Sequence, residues 1–163
     1  MPAHSFDLVL FGGTGDLAGR KLLPALYSQF HDRNIAPDAS ILATARHKMS
    51  SAEFRAFASD RLRENVDAAH FDAAACDAFL SRVHYVATDA TDGATFAALA
   101  KQLRSAPESR ADAPRPRVFF LATTPSLFAG ICSHLGSAGA ITSDSRVVLE
   151  KPLGTDLASS KAI

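Results

Sequence analysis

Apolar residues along this chain gather into five short runs, separated by stretches with helical spacing. Phe6 to Phe11 reads as a first strand of the buried kind. Asp16 to Phe30 reads as a helix, with Leu17, Leu22, Leu23, Leu26 and Phe30 near helical spacing and Pro24 expected to kink or restart it. Ile41–Ala45 is a second strand. A helix from Ser51-Ala52-Glu53 to about Asn65 follows, then a shorter one over Ala73–Leu80. Arg82–Ala87 is a third strand. Asp89-Ala90-Thr91-Asp92 forms a turn or cap before a helix over Ala94–Arg104. Ser105–Pro116, with prolines at 107, 114 and 116, is a polar surface loop. Val118–Ala122 is a fourth strand, Leu127–Leu135 a helix ended by Gly136 and Gly139, and Arg146–Glu150 a fifth strand. This alternation predicts an α/β fold: a Rossmann-like, doubly wound parallel sheet in a three-layer αβα arrangement, with strand order 3-2-1-4-5.

The first turn carries the chemistry. Leu8-Val9-Leu10-Phe11 ends abruptly in Gly12-Gly13-Thr14-Gly15-Asp16-Leu17-Ala18. A strand, a tight turn and a helix N-terminus present backbone N–H groups and the positive end of a helix dipole to an anion, usually a phosphate. Gly13, Gly15 and Ala18 fit the spacing G-x-G-x-x-[GA] of dinucleotide sites. On that spacing Gly13 allows the turn, Gly15 lets a pyrophosphate approach, and Ala18 lets helix and strand pack closely. Glycine-rich turns without a ligand are common, but this one lies between the first strand and the first helix, as a dinucleotide site requires. The nucleoside-triphosphate pattern is not spelled, because Gly15 is followed by Arg20-Lys21 where Gly-Lys is needed.

The second strand selects the cofactor. NAD sites usually place Asp or Glu at its end, to accept bonds from the adenosine ribose. Here Ile41-Leu42-Ala43-Thr44-Ala45 runs into Arg46-His47-Lys48, with no carboxylate. A carboxylate repels a 2′-phosphate, whereas an arginine fork binds it, so the expected cofactor is NADP.

Composition narrows the class. The 163 residues suffice for one domain with a sizeable core, 47% of them are hydrophobic and 21% charged, and the net charge is zero. That balance points to no nucleic-acid partner. No apolar run approaches the roughly 20 residues of a membrane helix. Cys76 and Cys132 suit free thiols in a reducing compartment, no cysteine–histidine cluster suggests a metal, and a cytoplasmic location is expected. None of the six histidines lies at a predicted strand end beside the glycine turn; His47 is nearest, on the adenosine side.

Taken in order, Gly12–Ala18, Arg20-Lys21, Ala45-Arg46, Leu121-Ala122-Thr123-Thr124-Pro125 and Glu150-Lys151-Pro152-Leu153-Gly154 resemble glucose-6-phosphate dehydrogenases across the whole chain. The resemblance implies oxidation of glucose 6-phosphate to the phosphogluconolactone with NADP, in the pentose phosphate pathway. It implies that Gly12, Gly13, Thr14, Gly15, Asp16 and Leu17 cradle the pyrophosphate and that Arg46 takes the 2′-phosphate. It puts Asp89 and Ala90 by the adenosine half and Ala122 and Thr123 by the nicotinamide. Lys151 would stand between nicotinamide and sugar phosphate, binding substrate, before a Lys151-Pro152 bond that is often cis in the family. The family's Arg-Ile-Asp-His signature and its large α+β domain are absent from these residues. Residues 1–163 thus read as a dinucleotide-binding domain with no catalytic base, inactive alone, within a homodimeric or tetrameric enzyme. Two alternatives stay open: an inositol-dehydrogenase-like NAD(P) oxidoreductase domain, which also carries Glu-Lys-Pro, and a non-catalytic NADP-binding module. A short-chain dehydrogenase is disfavoured, since neither Tyr27 nor Tyr85 is followed by lysine four residues on.

Overall fold

In a computed structural model, residues 5–105 and 115–150 are described. The segments 1–4, 106–114 and 151–163 fall outside them, and with them most of the Pro-rich loop, Lys151 and the Lys151-Pro152 bond. The strands are β1 (Asp7–Phe11), β2 (Ser40–Ala45), β3 (Val83–Ala87), β4 (Arg117–Leu121) and β5 (Arg146–Leu149). They form one parallel sheet in the order β3-β2-β1-β4-β5, as the alternation predicts. Each expected strand is present with its ends within a residue or so.

Strand alternation sorts the core onto two faces. All five residues of β1 are buried, as suits the central strand of a parallel sheet. Leu8 shares one face with Ile41, Ala43, Val83 and Tyr85, covered by α1 (Leu23–His31), α2 (Ser51–Asn65) and α3 (Ala73–Leu80). Val9 and Phe11 share the other with Leu42, Phe119 and Leu121, under α4 (Phe96–Arg104) and α5 (Phe128–Ser137). The two middle helices, α2 and α3, keep the bounds read from sequence. Short 3₁₀ turns, Gly93–Thr95 and Pro125–Leu127, lead into α4 and α5.

The first helix begins at Asp16, as expected, but its backbone widens within the second turn. Ala18–Leu22 is a π-helical turn within that helix, and α1 proper follows from Leu23, with Pro24 in its first turn. Pro24 has no N–H, and its ring would press on the carbonyl four residues back. The widened turn relieves that pressure: Leu23 N–H reaches back five residues to Ala18 O. The proline is thus accommodated by a π-helical turn within a continuous helix.

The N-terminal edge of the sheet is closed by an ion cluster. Asp7 is 5% exposed; its Oδ1 accepts from Arg115 Nε at 2.8 Å, and Arg117 Nη2 lies 4.0 Å from its Oδ2. Arg115 Nη2 also donates to Asp38 O at 2.8 Å. The opposite, C-terminal edge stays open.

Candidate functional site

The turn after β1 is shaped by one glycine above the rest. Gly12 has φ +79°, and a Cβ there would lie 2.3 Å from the carbonyl oxygen of Ala122. Only glycine fits both the left-handed backbone and the space. The residue that makes the turn is thus Gly12, one place before the Gly13 that fingerprint spacing selects. Gly13 serves packing instead: its Cβ would stand 2.9 Å from that of Ala43 on β2.

Hydrogen bonding shows which amides are left for a ligand. Gly12 and Gly13 N–H both donate to Thr44 O, at 2.9 and 3.0 Å, and Gly15 N–H donates to Gly12 O at 2.8 Å. The first helical bond is Gly19 N–H to Gly15 O, at 3.0 Å. The exposed Asp16 and Leu17 therefore head a helix with amides that have no intrahelical acceptor. Glycines build the loop, and the residues after them offer the donors.

At the C-terminal edge of the sheet this loop borders a cleft of about 780 Å³. The cleft gathers Gly12, Thr14, Gly15, Arg46, Asp89, Ala90 and Thr123 from four strand ends. Asp16 lines a smaller adjoining hollow with Thr14 and Gly15. Ala122 backs the loop, its N–H donating to Phe11 O at 3.1 Å. Of the residues expected at the site, Lys151 alone lies outside the described residues.

Charge in the cleft is arranged around Arg46. It is exposed, follows β2 directly, and makes no ion pair within 4 Å among the described residues. Across from it, Asp89 Oδ1 accepts from Thr91 N–H at 2.9 Å and from Thr91 Oγ1 at 2.7 Å. Those bonds hold the Asp89 carboxyl below the usual carboxylate range, with a smaller contribution from the Arg46 charge.

Two cleft residues, Thr44 and Thr88, escaped the sequence reading. With the expected Thr123 they line the cleft, and each of the three has a buried Oγ1 with no partner among the described residues. Polar atoms in such walls ask for a hydrogen-bonding neighbour. A threonine in an apolar strand reads as a β-branched packing residue, so its hydroxyl carries no signal until the strand ends are brought together. His47 also lines the cleft, as the one histidine there among the described residues.

Amides at a helix N-terminus without helical acceptors, an exposed guanidinium and a roomy cleft together form a donor set that fits a phosphate-bearing dinucleotide. Known proteins agree with that geometry. The family described as glucose-6-phosphate dehydrogenase, NAD binding domain, matches residues 9–163. The chain is 43% identical over 162 residues to glucose-6-phosphate 1-dehydrogenase of Mycolicibacterium smegmatis, covering 99% of this chain and 32% of that protein. It is 39% identical over 160 residues to the Rhizobium meliloti enzyme of the same name, covering 98% of this chain and 31% of that one. Among solved structures, glucose-6-phosphate 1-dehydrogenase from Mycobacterium avium superposes with a TM-score of 0.82 at 28% identity, over 97% of this chain and 32% of that one. A glucose-6-phosphate dehydrogenase in complex with glucose 6-phosphate gives the same score, over 98% and 33%. The chain thus spans about a third of the length of the relatives it matches. The inositol-dehydrogenase-like alternative gives way to these matches, and the matched domain makes a pyridine nucleotide the class of cofactor. This chain belongs to the glucose-6-phosphate dehydrogenase family, in which it corresponds to the NAD binding domain.

Proposed function

We propose that the C-terminal-edge cleft binds NADP, and that residues 1–163 serve as the dinucleotide-binding domain of an enzyme oxidising glucose 6-phosphate. Arg46, without an ion pair among the described residues and at the end of a β2 strand that lacks a carboxylate, is the observation that carries the NADP reading. In this arrangement the Asp16 and Leu17 amides face the pyrophosphate, and Gly12, Thr14 and Gly15 keep the loop low enough for it to approach. Arg46 takes the 2′-phosphate in charge-assisted bonds. Asp89 and Ala90 border the adenosine, and Ala122 and Thr123 border the nicotinamide. The cofactor, once bound, supplies the hydride acceptor. Lys151 contributes a cation between nicotinamide and sugar phosphate.

The family relationship supports glucose 6-phosphate as the substrate, a cytoplasmic site of action and a homodimeric or tetrameric enzyme. Hydride loss from a sugar hydroxyl needs a general base, typically a histidine oriented by a carboxylate. His47 sits on the Arg46 side of the cleft, remote from the proposed nicotinamide position by Ala122 and Thr123. The base is therefore assigned outside the described residues.

Calorimetric titration tests the cofactor assignment. Arg46→Ala should weaken NADP by about 1.5–3 kcal/mol for each charge-assisted bond lost, roughly tenfold or more, and leave NAD nearly unchanged. Equal losses for the two nucleotides would show that Arg46 does not read the 2′-phosphate.

A further inference from the structure

Arg46 stands on the short loop 46–50, between Ala45 at the end of β2 and Ser51 at the start of α2. An arginine discriminates between two ligands through its position, and a loop that must be ordered on binding loses part of that advantage. Both ends of this loop are fixed. At its far end Ser50 caps α2 in a reciprocal pair with Glu53. At its near end a single side chain from β3 reaches under the turn. Tyr85, paired with Ala43 in the sheet register, directs its hydroxyl past the strand end to Ala45 O at 3.1 Å and His47 O at 2.5 Å. These carbonyls flank Arg46.

The phenol is itself held rigidly. It is 7% exposed, and its ring stacks on Phe54 with centroids 5.0 Å apart and planes 20° apart. Tyr85 N–H donates to Ser51 Oγ at 2.9 Å, tying the same strand to the first residue of α2. Ala45 O already accepts Thr88 N–H at 2.9 Å. The hydroxyl's distinctive contribution is therefore to His47 O, which has no other partner among the described residues. A phenylalanine would fill the same space and keep the stack. What the oxygen adds is a fixed path for the backbone through residue 46.

We propose that Tyr85 is the positioning residue for Arg46: by tethering the carbonyls on either side of it, the phenol hydroxyl sets the preference for NADP over NAD. This rests on the assignment of Arg46 to the 2′-phosphate. Tyr85 touches neither nucleotide and acts through the loop. Its removal should cost NADP binding while sparing NAD, which a general loss of stability would not do.

A double-mutant cycle read by calorimetry decides the matter, with NADP and NAD titrated into wild type, Tyr85→Phe, Arg46→Ala and the double variant. Tyr85→Phe should weaken NADP about fivefold to tenfold, the scale of one hydrogen bond, and NAD less than about twofold. In the Arg46→Ala background the same change should move NADP by less than about twofold, because nothing is left to position. Amide hydrogen exchange of His47 and Lys48 gives a second readout, independent of ligand: it should speed up in Tyr85→Phe while exchange in β1 stays unchanged. Equal weakening of NADP and NAD, or the same loss of NADP in both backgrounds, overturns the proposal. If Arg46→Ala itself fails to distinguish the nucleotides, the cofactor assignment falls, and the positioning role falls with it.

Discussion

Two glycines show how much the surroundings of a residue decide. Gly12 and Gly139 both hold positive φ, +79° and +65°. A Cβ on Gly12 would strike the Ala122 carbonyl, whereas one on Gly139 would meet nothing within 4 Å. Gly139→Ala should therefore cost about 1 kcal/mol, the backbone penalty alone. Gly12→Ala should cost about 2–5 kcal/mol, since overlap adds to strain, and should abolish nucleotide binding. Urea denaturation of the two variants checks the contrast, and equal losses would refute it. The sequence announces that a tight glycine turn lies here, but not which glycine makes it. The Gly12–Ala122 approach joins the ends of β1 and β4, far apart along the chain, so local spacing pointed to Gly13. The same blindness hid Thr44, Thr88 and Tyr85, whose hydroxyls look like ordinary strand packing until their neighbours are known.

Elements were more legible than contacts. The runs Phe6–Phe11 and Val118–Ala122 are dense enough in apolar residues to declare buried strands, and α2 keeps its expected bounds because Ser50 and Glu53 spell its start. Ser50 Oγ accepts Glu53 N–H at 3.2 Å, and Ser50 N–H donates to Glu53 Oε2 at 2.6 Å. Ser50→Ala should destabilise the fold by about 1 kcal/mol in thermal unfolding. Its bonds to Ser50, backbone first, hold the Glu53 carboxyl below its ordinary value of 4.5. A carboxyl depressed in the folded state adds stability above its unfolded pKa and loses that contribution as pH falls through the folded one. Glu53→Gln should thus lower the melting temperature at pH 7, and by less at pH 3. An equal deficit at both values would deny the charge any part. The π-helical turn over Ala18–Leu22 was not legible, because periodicity reports which face of a helix is apolar and not how its backbone accommodates Pro24.

Over the whole molecule the parallel sheet has one edge closed by charge and the other open to ligand. Asp7, Arg115 and Arg117 close the N-terminal edge in a nearly water-free cluster. Asp7→Ala takes the buried carboxylate from Arg115, which keeps Asp38, and from Arg117, which keeps the carbonyls of Ala140 and Leu103, and a loss of about 1–3 kcal/mol is expected in urea denaturation. A change below 1 kcal/mol would show that the cluster is solvated. Function concentrates at the opposite edge. With His47 the one histidine in the cleft among the described residues, the 163-residue chain should bind NADP yet give no NADPH absorbance from glucose 6-phosphate above the no-enzyme control. Turnover abolished by Lys151→Ala would instead place a full active site within it. The central claim, that the C-terminal-edge cleft is the nucleotide site, is tested most directly by following backbone amide resonances of the labelled chain through a titration with NADP. Shifts are predicted at Asp16 and Leu17, at Arg46 and His47, and at Asp89, Ala90 and Thr123, with Asp38, Ser81 and Gln102 at the far edge unmoved. Shifts concentrated at that far edge, or none at Arg46 and Leu17 under saturating NADP, would contradict it.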